Sequence, residues 1–308
     1  MSLELLAAAA MIAGAPILLA ALGELLAERA GILNLGVEGT MLVGAVSGFA
    51  GTMSSGSVWI GLALAILAGG LFGFTFAFLT VTLRMDQIVT GLAFTILGAG
   101  LSAFLGKRLI GQPAPATVPK PDFGLLADIP FVGPTLFRHD VLVYTALVLA
   151  VATAFYIRRT RYGLILKALG ESPDVLDTLG ISVVGLRYAY VIVGAALAGL
   201  GGAYLSLAFT PSWIENMTAG RGWIAIALVI FSGWRPMWLL FGAYLFGFVD
   251  ALRFRMQVGG AVPIDPHFLN MLPYLATLGV LMLTSSAATR RRFGVPRTLG
   301  VAYDRESR

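Results

Sequence analysis

Polar side chains that could bind a passing solute stand in residues 24–39, a glycine-punctuated segment inside an apolar region. Asn34 and Glu38 are surrounded there by apolar residues, and the neighbouring glycines permit a break in a helix. Polar groups at membrane depth face a cavity rather than lipid, and they mark solute routes by default. We therefore predict that Asn34 and Glu38 line a pathway for a solute.

Three charged residues before Asn34 have a simpler explanation. Glu24, Glu28 and Arg29 follow an apolar run directly, as residues at a membrane interface do. We predict that they mark such an interface and that Arg29 pairs with one of the two carboxylates.

A third polar group lies between Trp213 and Trp238. Tryptophans commonly form a belt at the membrane surface, which explains most of this region. Glu215 and Arg221 could still reach into a cavity beside a broken helix, so we add them to the predicted pathway.

Residues 158–187 form a polar-rich stretch that could bind a partner protein. Pro173 can begin a short helix with Ser172 as its N-cap and Gly180 as its stop. Leu176 and Leu179 are expected on one face of this helix. A docking element would present such a face, whereas a plain connector, the alternative, would have little use for it. The predicted docking residues are Gly170, Glu171, Ser172, Pro173, Asp174, Leu176, Leu179 and Gly180.

Signals for catalysis are missing from the sequence. Gly106-Lys107 resembles the end of a phosphate-binding loop, but Leu101 replaces the first glycine and Arg108 replaces the Ser or Thr. The chain has no cysteine, and its two histidines are isolated. We expect no ATPase activity, cofactor or metal in this chain.

Composition places the chain in lipid. Hydrophobic residues make up 58% and charged residues 12% of its 308 residues, against about 25% charged in soluble domains. The net charge of +5 comes mainly from short loops, so we predict no nucleic-acid binding. We predict one all-α, polytopic membrane domain over residues 1–308.

Apolar runs of about 20 residues recur along the whole chain. Gly233-Trp234-Arg235-Pro236 interrupts one of them, so two half-helices or a re-entrant pair are expected there. Counting both halves, we predict 8 to 10 membrane or re-entrant segments. The candidate spans are 3–23, 40–54, 57–83, 88–105, 141–157, 186–209, 222–250 and 268–288.

Arginine and lysine predict the orientation. They concentrate in residues 158–187 and in the C-terminal tail, which are therefore expected to be cytoplasmic. Loop 106–139 lies one span away, so parity places it outside.

Two glycine pairs, Gly44 with Gly48 and Gly69 with Gly73, have the GxxxG spacing that lets helices approach closely in lipid. The spacing is about equally consistent with a helix-packing face and with chance in a glycine-rich chain.

Two segments carry a resemblance to a known family. Residues 26–41, LAERAGILNLGVEGTM, and residues 168–174, ALGESPD, continuing through Leu179-Gly180-Ile181, resemble permease subunits of bacterial ABC importers of the branched-chain amino acid, ribose and nucleoside type. The first segment most resembles the nucleoside branch, whose binding proteins are lipoproteins of the basic-membrane-protein kind. The second resembles that family's loop contacting the ATPase.

This resemblance implies a type II-like importer fold in the bacterial inner membrane. It also implies a second permease, more often a different chain than a copy, two cytosolic ATPases that bind the ATP, and an external substrate-binding lipoprotein. The cargo would be a nucleoside, with a sugar or an amino acid as alternatives.

A secondary transporter is the main competing hypothesis, because it also uses broken helices and polar residues at mid-membrane. It normally needs ionisable coupling sites in several spans. The spans 57–83, 141–157 and 186–209 contain none except Arg187 at one end.

Overall fold

A computed structural model of the chain describes residues 3–259, 271, 275 and 294–303. The described part is all-α, and six of its helical segments are long and apolar enough to cross a membrane. Some features of the sequence lie outside the described residues, namely most of the predicted span 268–288, most of the tail arginines, and His267. The helices are α1 (Leu3–Arg29), α2 (Val37–Ser55), α3 (Val58–Ala77), α4 (Gln87–Gly106), α5 (Val141–Arg159), α6 (Arg161–Glu171), α7 (Pro173–Thr178), α8 (Val183–Tyr204), α9 (Arg221–Phe231) and α10 (Pro236–Gly259). One π-helical turn extends α3 over Phe78–Thr82, and another extends α8 over Leu205–Phe209.

Four helices begin at short polar side chains that cap them. The carboxylates of Asp86 and Asp140 accept backbone N–H groups in the first turns of α4 and α5. The hydroxyl groups of Thr160 and Ser182 do the same for α6 and α8. Each cap satisfies a donor that the helix itself leaves open, which fixes where the helix starts.

Helices α1 and α8 lie at the centre of the bundle. Helix α8 packs against α1, α2 and α3, and α1 also packs against α10. Their buried faces are rich in Ala, Gly and Leu. Helix α4, by contrast, exposes Ile96 and Phe104, as expected for a surface that meets lipid or another subunit.

Both glycine pairs lie on real packing faces, and both faces lie against α8. A Cβ atom on Gly44 would overlap the backbone of Gly199, and one on Gly69 would lie 2.6 Å from the Ala195 carbonyl oxygen. Gly48 and Gly73 face Ala203 and Ala195 in the same helix. Small residues therefore let three helices approach backbone to backbone.

We expect Gly44→Val to destabilise the bundle by about 3 kcal/mol or more, because the backbone of α8 would have to move to admit the side chain. Gly100→Val is the matched control, since a Cβ there meets nothing within 4 Å. Thermal unfolding of the two purified variants measures the difference. Equal melting temperatures would show that α2 and α8 do not pack as described.

The break in the long apolar run 222–250 is confirmed. Helix α9 has only 11 residues and α10 has 24. Between them Gly233 and Trp234 have positive φ values of 60° and 55°, and Pro236 begins the next helix. The chain thus places a short helix inside the bundle, with an end that can bind polar groups.

Loop 106–139 is tied to the segment that precedes α9. The N–H group of Ala114 donates to the Pro211 carbonyl oxygen at 3.1 Å, and Ile110 forms an isolated bridge with Trp213. Trp213 is buried against Gly106, so this tryptophan packs inside the protein rather than in an interfacial belt.

Candidate functional site

Glu38 binds the N-terminus of the short helix α9. Its Oε1 accepts the Thr218 hydroxyl at 2.6 Å and the Gly220 N–H at 2.8 Å, and its Oε2 accepts the Gly222 N–H at 2.6 Å. The carboxylate is 5% exposed. Free N–H groups and the helix dipole make such an end a favourable place for an anion.

The approach is so close that Gly222 has no room for a side chain, since a Cβ atom would lie 2.6 Å from the Glu38 Cα. Both carboxylate oxygens of Glu38 are engaged by protein donors. The carboxylate therefore joins α2 to α9, and it does so at the point where α9 begins inside the bundle.

Asn34 shapes the turn between α1 and α2. Its Oδ1 accepts the Gly36 N–H at 2.9 Å, and its own N–H donates to Glu24 Oε1 at 3.0 Å. The N–H group of the preceding residue, Leu33, donates to Gln87 Oε1 at 2.7 Å. Side chains from α1 and α4 thus satisfy the backbone of a buried connection, as burial requires.

Glu28 and Arg29 both contact Trp234, and not each other as predicted from the sequence. The indole N–H of Trp234 donates to Glu28 Oε2 at 2.6 Å, and Arg29 Nη2 donates to the Trp234 carbonyl oxygen at 2.6 Å. Glu24 and Glu28 are buried inside the protein, and their position at a membrane interface stays a prediction. These contacts hold the end of α1 against the α9–α10 break.

Arg221 and Glu215 differ in their surroundings. Arg221 donates to Asp250 at 3.4 Å, and Asp250 also pairs with Arg253 at 2.9 Å. Asp250 is 5% exposed, so these ion pairs are largely buried, and they link α9 to α10. Glu215 is exposed in the turn before α9.

Helix α7 begins at Pro173 as predicted, but Leu176 and Leu179 do not share one exposed face. Leu176 is 3% exposed and belongs to the core, whereas Leu179 is 70% exposed. The helix ends at Thr178, so Leu179 and Gly180 already belong to the turn. The outward apolar pair is Val175 and Leu179, and the prediction of one face for Leu176 and Leu179 is wrong.

The other predicted docking residues also divide into buried and exposed. Ser172 stands at the N-cap position, but its side chain makes no capping hydrogen bond, which contradicts the predicted cap. Gly170 and Pro173 are buried, whereas Glu171, Ser172 and Asp174 are exposed. Gly180 has a φ value of +75°, which suits the glycine stop.

The described C-terminal segment, residues 294–303, crosses the base of this docking element. The N–H and hydroxyl groups of Thr298 both donate to the Gly170 carbonyl oxygen, at 3.0 and 2.9 Å. Gly300 N–H donates to the Gly31 carbonyl oxygen at 3.3 Å, and Arg187 Nη1 donates to that of Val301 at 3.4 Å. The segment thus joins α6, the α1–α2 turn and α8.

Sequence reasoning missed Glu24, Glu28, Gln87 and Trp234 as members of this polar network. The available signal was the presence of two carboxylates inside or beside an apolar run, which marks a functional candidate. Across the described residues, no group of three or more His, Cys, Asp or Glu side chains could hold a metal ion. The arrangement binds backbone groups at helix ends and thereby links α1 and α2 to the two ends of α9.

Comparisons with known proteins extend over nearly the whole chain. The profile of the family described as branched-chain amino acid transport system / permease component matches residues 6–282. The putative glucose ABC transporter permease protein TsgC13 of Haloferax volcanii is 40% identical over 94% of each chain. The guanosine ABC transporter permease protein NupQ of Bacillus subtilis is 31% identical and the nucleoside ABC transporter permease protein NupC of Lactococcus lactis 32%, each over 98% of this chain and 97% of its own. No solved structure matches.

Proposed function

Since this chain belongs to the branched-chain amino acid transport system permease family and is a multi-pass permease subunit of an ABC transporter, we propose that it forms half of the import pathway for a nucleoside. The observation that carries the proposal is the end-to-end similarity to NupQ and NupC, whose names specify guanosine and nucleoside. The motif in residues 26–41 supports the same branch.

A sugar is the second candidate cargo. The relative TsgC13, named as a putative glucose permease, is more similar to this chain at 40% identity than the two nucleoside permeases. A nucleoside carries a ribose, so both cargoes present sugar hydroxyl groups to a pathway.

The partners that we propose follow from the class of transporter. NupQ and a second match, the guanosine permease NupP, come from one organism, and NupC and NupB from another. These pairs support a heterodimer of two permeases. Two cytosolic ATPases would bind and hydrolyse ATP, and an external lipoprotein would deliver the cargo, in the plasma membrane of a prokaryote.

The proposed pathway runs beside α9. Asn34, Glu38 and Arg221 surround the break between α1 and α2 and the start of α9, and Glu215 stands in the exposed turn before it. We propose that Glu38 transmits movement of α2 to α9 and so opens or closes the pathway. The exposed residues of α6, α7 and the turn after α7, with Val175 and Leu179 foremost, would dock on the ATPase.

Uptake by the complete importer tests the proposed cargo. Cells that express this chain with its neighbouring permease, ATPase and lipoprotein genes should accumulate labelled guanosine, and excess unlabelled nucleoside should compete. Accumulation of labelled glucose alone would favour the sugar. If neither uptake depends on ATP, the proposal fails and a secondary transporter becomes the better hypothesis.

We predict that residues 158–187 are cytoplasmic and loop 106–139 external, because arginine-rich loops remain inside. The chain lacks cysteine, so Asp174→Cys and Lys120→Cys each give one defined thiol. An impermeant thiol reagent should label position 120 in intact cells and position 174 only after permeabilisation. The reverse pattern would mean an inverted topology.

A further inference from the structure

An open groove lies between α1, α5 and α8, on the side of the bundle where α5 ends. Its volume is about 620 Å³, within the usual range of ligand pockets. Leu26 of α1, Ala152 and Phe155 of α5, and Ala189 and Val193 of α8 form its apolar part. The groove is open at the surface that a membrane would cover.

Most of the hydroxyl-bearing residues of the groove lie toward the end of α5, where Leu186 of α8 also lines it. The hydroxyl groups of Tyr156 and Tyr190 are hydrogen-bonded to each other at 2.8 Å, and Thr160 and Tyr162 complete the lining at that end. Tyrosine has this amphipathic character at membrane interfaces, where one side of the ring is apolar and the hydroxyl reaches water.

Three arginines are next to the groove residues in the chain, at the end of α5 and the start of α6. Arg158, Arg159 and Arg161 are exposed and flank Thr160, and none of the residues that line the groove is acidic. Along α5 and into α6, apolar residues, hydroxyl groups and cations thus follow each other roughly in the order of the acyl chains, ester region and phosphate of a phospholipid. Basic clusters next to membrane helices attract anionic lipids in this way.

We propose that the groove binds one anionic phospholipid of the inner leaflet, with an acyl chain between α5 and α8 and its phosphate on the arginines. The assignment to the inner leaflet depends on the proposed orientation of residues 158–187, whereas the existence of the site does not. The lipid would fill the space between peripheral α5 and central α1 and α8, and so connect the membrane to the base of α6.

Native mass spectrometry of the purified chain tests the site with an equimolar mixture of phosphatidylglycerol and phosphatidylcholine that have the same acyl chains. We expect the wild type to retain phosphatidylglycerol over phosphatidylcholine by about tenfold or more. Replacing Arg158, Arg159 and Arg161 by Gln should abolish the preference. Ala189→Trp should fill the groove and remove retention of both lipids.

Two matched controls separate the site from general effects of charge and bulk. Replacing Lys107, Arg108 and Lys120 by Gln removes three cations elsewhere and should leave the preference intact, as should Ile96→Trp on exposed α4. An unchanged preference in the arginine variant, or unchanged retention in Ala189→Trp, would overturn the proposal. Loss of the lipid when the second permease binds would also overturn it, because a protein would then fill the groove.

Lipid retention is measured without transport. A chain that retains phosphatidylglycerol but imports no nucleoside would contradict the proposed cargo and leave the lipid site standing. A chain that imports nucleoside with no lipid preference would contradict the lipid site and leave the proposed cargo standing.

Discussion

Glu38→Ala is expected to destabilise the protein by about 3 to 6 kcal/mol and to abolish uptake. The substitution leaves two buried donors, the Thr218 hydroxyl and the Gly222 N–H, without their acceptor, and each costs about 1 to 3 kcal/mol. The partly buried Gly220 N–H loses the same acceptor at a smaller cost, because water can reach it. It also removes the negative charge from the N-terminus of α9. Thermal unfolding of the purified chain and uptake in cells measure the two effects.

This expectation differs from the one that the sequence alone supports. Replacing a residue that only lines a pathway would reduce uptake and leave assembly intact. We still expect Asn34→Ala to reduce uptake with a smaller loss of stability than Glu38→Ala. It leaves one buried donor, the Gly36 N–H, without its acceptor, which costs about 1 to 3 kcal/mol.

Two further variants define the role of the carboxylate. Glu38→Gln keeps the size but turns one acceptor into an amide donor, so stability should fall between those of wild type and Glu38→Ala. Glu215→Ala removes an exposed carboxylate and should leave stability unchanged. A Glu38→Ala protein that unfolds at the wild-type temperature would show that Glu38 does not hold α9.

Leu179→Asp and Leu176→Asp are expected to fail in different ways. Leu176 is buried, so a carboxylate there should cost about 3 kcal/mol or more and lower the yield of folded protein. Leu179 is exposed, so Leu179→Asp should insert and fold normally. We expect it to lose the ATPase, because an unpaired carboxylate would enter the proposed contact.

Co-purification with the ATPase and the melting temperature together separate these outcomes. Leu179→Ala should retain part of the ATPase, and Ser172→Ala should change neither quantity, since the Ser172 side chain makes no capping bond. Wild-type retention of the ATPase by Leu179→Asp would assign α7 to a plain connector.

Local signals predicted most of the described helices. The apolar runs between 3 and 250 correspond to α1 to α5 and α8 to α10, because a helix must satisfy its own backbone in lipid and therefore leaves a long apolar run. Pro236 and its neighbours predicted the α9–α10 break. The run 40–54 became α2, which lies inside the bundle and was not apolar enough to count among the six spans.

Partnership between distant residues could not be predicted in the same way. Glu38 and Gly222 are separated by 184 positions, and Glu28 and Trp234 by 206. Nothing in the local composition around Glu28 tells whether its carboxylate meets Arg29, one residue away, or an indole beyond the far end of α9. Leu176 and Leu179 illustrate the same limit, because a three-residue spacing predicts a shared face only while the helix continues.

The sequence by itself determined that this is a polytopic membrane protein, where its helices break, and which family it resembles, because these properties depend on residues that are neighbours in the chain. Only the tertiary structure decided that Glu38 holds the start of α9, that Glu24 and Glu28 are buried, and that Leu179 rather than Leu176 faces outward. These properties depend on which helices approach each other, and the approach is set by small residues on α8 that meet glycines of α2 and α3.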